Sequence, residues 1–106
     1  MPRGTSRVQA LDYEIAQEQA SALGRLGRAL EAALEALADY EARHSQRGAE
    51  HTRLLQAASH SLWCFIVQRE ACGMRDPRPV LSAYRVPAAV HNRMGAFGAP
   101  ATKRQR

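Results

Sequence analysis

Apolar residues recur in steps of three and four along the first part of the chain. Leu23, Leu26, Leu30, Ala33, Leu37 and Tyr40 fall in one line, with Leu11, Ile15 and Leu34 ahead of it or beside it. That spacing keeps one face of a helix apolar and predicts a single helix from Ala10 to about Arg43. Ala16, Ala20, Ala22, Ala29, Ala32, Ala36 and Ala38 strengthen it, because alanine loses little side-chain freedom in a helix. Gly24 and Gly27 weaken it, and mark either a close approach of a neighbouring element or a mild bend. The polar run His44 to Gly48 ends this helix. A second helix is predicted from about Ala49 to Cys72, with Leu54, Leu55, Ala58, Leu62, Phe65, Ile66 and Cys72 as its stripe and Trp63 at the edge. Gly73 suits the left-handed position that closes a helix. A short link between two long periodic segments favours an antiparallel hairpin.

Prolines then punctuate the chain. Asp76 before Pro77 reads as an N-cap followed by proline at the first helical position. A short helix over about 77–84 follows, with Val80, Leu81 and Tyr84 inward. Pro87 restarts the pattern, and a helix over about 87–94 would bury Val90 and Met94 and stop at Gly95. The expected architecture is all-α: a long antiparallel hairpin (about 10–43 and 49–72) with two short C-terminal helices across it. It forms one domain over residues 10–95, between a flexible N-terminal segment (1–9) and a flexible basic tail (96–106).

The two long helices do not match in length. At 1.5 Å per residue the first would span roughly 50 Å and the second roughly 35 Å. Some of the first stripe needs another cover. The short helices can supply part of it, and a second copy of the chain, in a homodimer, could supply the rest.

Charge changes this picture little. The 106 residues carry a formal +5, but Arg3, Arg7, Lys103, Arg104 and Arg106 lie near the ends, and the ten remaining basic residues balance the ten acidic ones. A neutral body with basic ends lacks the cationic face of a folded nucleic-acid binder, although the tails could attract a polyanion non-specifically. Cys64 and Cys72, eight residues apart on one predicted helix, are separated by about 12 Å along its axis, too far for a disulfide. Free thiols fit a reducing compartment. With no signal-like or membrane-spanning apolar run, a cytoplasmic location without membrane contact is expected.

Chemistry-bearing constellations are sparse. His60 and Cys64 are helical neighbours, the arrangement that can activate a thiol; the simpler account makes Cys64 a small, partly buried hydrophobe with a polar flank. Glu41 and His44 form one E-x-x-H step, which helical carboxylate metal sites use in repeated copies, and no second copy occurs. Glu14 with Glu18, and Glu31 with Glu35, read as solvated pairs. No phosphate-binding or dinucleotide fingerprint is present, so no cofactor and no metal is expected. Trp63, Arg69, Tyr84 and Arg85 gather near the corner between the hairpin and the short helices, and these residue types anchor interfaces. The plainer alternative is that the aromatics pin the short helices and the arginines face water.

The stretch Tyr13-Glu14-Ile15-Ala16-Gln17-Glu18-Gln19-Ala20, the segment Val67 to Gly73, and the ending Val86-Pro87 to Met94-Gly95 resemble a family of small helical proteins from Gram-negative bacteria. The resemblance covers most of residues 10–95. It implies a compact helical fold and transfers no activity and no site residues. The expected role is a small non-enzymatic protein-interaction or adaptor module acting on an unidentified protein or on a second copy. A nucleic-acid-associated accessory protein is the alternative.

Overall fold

The computed structural model describes residues 3–98 in backbone and 7–94 in side chain. Four helices follow one another: α1 (Arg3–Arg43), α2 (Ala49–Ala71), α3 (Arg78–Ala83) and α4 (Ala88–Gly98). The protein is an all-α helical bundle. α1 and α2 pair over a long contact, and α3 and α4 pack across that pair. The expected basic tail residues Lys103, Arg104 and Arg106 lie outside the described residues.

α1 and α2 run antiparallel in a fixed register. At the loop end His51 Nε2 stands 2.7 Å from Glu41 Oε2, and further along, Phe65 packs beside Gly27. Each step forward on α2 is therefore a step back on α1, which brings Ala71, the last residue of α2, level with Ser21. The core lies along this seam. Leu30 and Leu37 from α1, Ala58 and Leu62 from α2, Val80 from α3 and Val90 from α4 are buried almost completely. Each large aliphatic side chain so buried contributes about 1.5–3 kcal/mol.

Two helix ends close by the same device. Past α2, Gly73 N donates to Glu70 O and Met74 N to Arg69 O, with Gly73 at φ 92°. Past α3, Arg85 N donates to Ser82 O and Val86 N to Leu81 O, with Arg85 at φ 51°. Both are Schellman closures that satisfy otherwise orphaned carbonyls. Glycine suits the first, whereas arginine fills the second despite the steric cost of a left-handed backbone.

Two expected boundaries shift. α1 begins at Arg3, so residues 3–9, expected to be flexible, are helical. Val8 continues the apolar row there, three residues ahead of Leu11. α4 runs on to Gly98, so Gly95 does not stop it and residues 96–98 are not tail. A glycine ends a helix only where the backbone turns left-handed, and Gly95 does not do so. At α3, Pro77 takes the cap position. The neighbouring Asp76 still receives the Arg78 backbone N–H at 3.0 Å, as the Asp-Pro pair leads one to expect.

Candidate functional site

One row of α1 runs through residues 8, 11, 15, 19, 22, 26, 30, 33, 37 and 40, always in steps of three or four, and is apolar at every position but Gln19. From Gln19 onward every member is buried or half-buried. Before Gln19 every member is exposed: Val8 at 59%, Leu11 at 56% and Ile15 at 53%. The change falls where α2 ends, level with Ser21. The first eighteen residues of α1 thus project past the bundle as an arm about 27 Å long, on which the core stripe resumes beyond Gln19. Isolated exposed leucines are ordinary, but a row of branched aliphatics in line with a core is not. Periodicity alone revealed the row. Its exposure became legible only with the register of α2.

The side chains singled out from the sequence are placed as follows. Tyr84 is half-buried and turned inward: its ring meets Phe65 edge-on at 5.6 Å, and its hydroxyl occupies the notch left by Gly27. Arg69 is half-buried and donates from Nη2 to Asp76 O at 3.1 Å, tying the end of α2 to the following loop; its Nε is buried without a partner. Trp63 lies two residues before Phe65, about 200° around α2 from it, on the flank where its ring neighbours His60 at 6.2 Å. Arg85 is exposed beside Tyr84. Among the described residues, no hydrogen bond, ion pair or ring contact joins Trp63 to Tyr84 or Arg85.

His60 and Cys64 do meet, with Nε2 and Sγ 3.5 Å apart on an outward flank of α2. Cys64 and Cys72 are both free thiols. Glu41 and His44 do not converge: Glu41 turns to His51, while His44 Nδ1 lies 3.1 Å from Tyr40 O and its ring stacks on Tyr40 at 4.1 Å. Tyr40, His44, His51 and Glu41 thereby pack together at the loop end of the hairpin. Among the described residues no three His, Cys, Asp or Glu side chains are grouped to hold a metal ion.

A cleft of about 860 Å³ lies between α1 and the α3–α4 corner. Leu34, Leu37 and Tyr84 floor it, Glu31, Glu35 and Glu41 edge it on one side, and Arg85 stands on the other. Neither His60 nor Cys64 lines it. Electrostatically it is an open acidic rim over apolar residues, with no paired acid and base held in its interior. Among the described residues, the carboxyl with the largest displacement is elsewhere: Asp76, held down to about 2 by hydrogen bonds from the Arg78 side chain and then its backbone N–H, with Arg69 adding to the field.

Among the described residues no helix is long and apolar enough to cross a membrane. Neither a curated protein nor a solved structure matches the chain. A helical family pattern does, over residues 1–103, and the chain accordingly belongs to a family of unknown function, DUF6665.

Proposed function

We infer that this protein is a small non-enzymatic interaction module whose working surface is the projecting arm of α1. One observation carries the reading. The apolar row that builds the core resumes beyond the end of α2 and, over the two turns from Val8 through Leu11 to Ile15, is left in water. Keeping such a row exposed forfeits about 25 cal/mol for each Å² that a partner would cover. The reading includes a Gram-negative source and a reducing, cytoplasmic setting, in keeping with the free thiols Cys64 and Cys72.

A nucleic-acid role through the basic ends ranks second. In the described body Arg43, Arg53 and Arg78 are each paired with a nearby carboxylate, which leaves less of a continuous cationic face for phosphates.

The test is native mass measurement of the chain captured gently from extract, alongside the Leu11→Glu variant. Species heavier than the 11.7 kDa chain, reduced in the variant, are expected. A chain found only at its own mass would overturn the reading.

A further inference from the structure

The arm carries the features of a self-complementary surface, and its symmetry can be read residue by residue. It comprises the stretch of α1 that precedes the level of α2's end, from Arg3 to about residue 20. Its midpoint lies between Leu11 and Asp12. An antiparallel copy centred there would set Val8 level with Ile15 of the copy, and Leu11 beside the copy's Leu11. All three exposed aliphatics would then meet aliphatics.

The flanks agree with that direction. On a helical wheel Arg7, Glu14 and Glu18 fall on one side of the row and Asp12 on the other. In an antiparallel pair each flank faces the same flank of its copy, so Arg7 would stand opposite the copy's Glu14 and Glu18, twice by symmetry. A parallel pair would forgo this match.

Continuity with the bundle agrees as well. α2 already lies antiparallel on this same row and ends level with Ser21. A copy's arm in the register above would begin just beyond, extending the line of α2 along α1 without overlapping it.

We propose that the arm of α1 pairs antiparallel with the arm of a second copy of this chain, in a two-fold homodimer centred between Leu11 and Asp12. The proposal rests on the interaction reading above and names its partner. Four to five turns of helix offer less contact than the roughly 800 Å² per partner of a standard interface, and Asp12 faces its own copy near the axis. Dissociation constants on the order of micromolar are therefore expected.

Sedimentation of the full chain from about 1 to 300 µM, a range spanning that affinity, should show a reversible monomer–dimer equilibrium. Leu11→Glu should weaken it at least roughly tenfold, and helical circular dichroism should report whether the variant is folded. Arg7→Glu should weaken it about threefold, with Glu14→Arg in the same chain restoring it, as expected for an exposed charge pair. Direction is read by disulfide formation in chains with Cys64 and Cys72 replaced by serine. Val8→Cys mixed with Ile15→Cys should cross-link efficiently, whereas Val8→Cys alone, about 10 Å from its copy along the axis, should not. Efficient self-linking of Val8→Cys would overturn the antiparallel arrangement. A chain that stays monomeric throughout overturns the homodimer. If that monomer still enters arm-dependent complexes in extract, the interaction reading survives; if it enters none, both fall.

Discussion

The Tyr84 hydroxyl fills the space beside Gly27, only 2.7 Å from where a Cβ on that glycine would stand. Phe65 closes the same notch 3.5 Å away. α1, α2 and the residue that caps α3 therefore meet at a point that tolerates no side chain on α1. Gly24, one turn earlier, faces only the flexible guanidinium of Arg28. The two glycines should respond in opposite directions. Gly24→Ala gains helix propensity and should stabilise by about 0.5–1 kcal/mol. Gly27→Ala makes the same gain but overpacks the notch, for a net loss of about 1–2 kcal/mol. Adding Tyr84→Phe to Gly27→Ala should recover much of that loss. Urea unfolding of the four chains decides; equal gains at both glycines would refute the close approach.

Ser59 ties α4 to α2. Its hydroxyl, fully buried, lies 2.8 Å from Leu55 O and 3.0 Å from Val90 O, so one proton is shared between its own helix and the neighbouring one. Ser59→Ala should cost about 1 kcal/mol and speed amide exchange in α4 more than in α1. Uniform acceleration across both helices would argue against a local tie.

Arg85 bears a left-handed backbone that its side chain disfavours. Arg85→Gly should stabilise the protein by about 1 kcal/mol, while Gly73→Ala, at the matching position after α2, should destabilise it by a similar amount. Thermal melts of both variants provide the check. A loss of stability in Arg85→Gly would mean that the guanidinium contributes more at the cleft than the backbone strain costs.

Asp76 should titrate near pH 2 rather than at its ordinary 3.8, because the Arg78 side chain and then its backbone N–H favour the carboxylate. The folded value lies below the unfolded one, so the carboxylate's stabilising contribution is complete above about pH 5. It is lost as pH falls through 3.8 towards about 2. Carbon-detected NMR titration of the Asp76 carboxyl should show the low midpoint, and Arg78→Ala should return it towards 3.8. A midpoint unmoved by that substitution would place the cause elsewhere.

Much of this architecture is legible from periodicity. The Leu23 to Tyr40 row, the Leu54 to Ile66 row and Gly73 define the hairpin and its closure, because repeated apolar spacing and a left-handed glycine each have one local cause. Other features arise from long-range geometry and leave no such trace. Ser59 is one serine on a long helix, and nothing in the sequence pairs it with Val90. Arg85 shows that any residue can be pressed into a left-handed cap when the turn demands it, whereas Gly95, a plausible stop, lies within α4 because no such turn forms there. The arm was half legible: unequal helix lengths announced uncovered stripe, but only the Glu41–His51 register showed which end was bare.

The unbroken backbone of α1 has a practical consequence. Whatever grips Val8, Leu11 and Ile15 also restrains the two turns carrying Gln19, Ala22 and Leu26, where the seam is only half covered. Occupancy of the arm should consequently surface as heat resistance of the bundle itself, growing with the concentration of whatever binds. A simple melting screen could then recognise a cognate molecule before its identity is known.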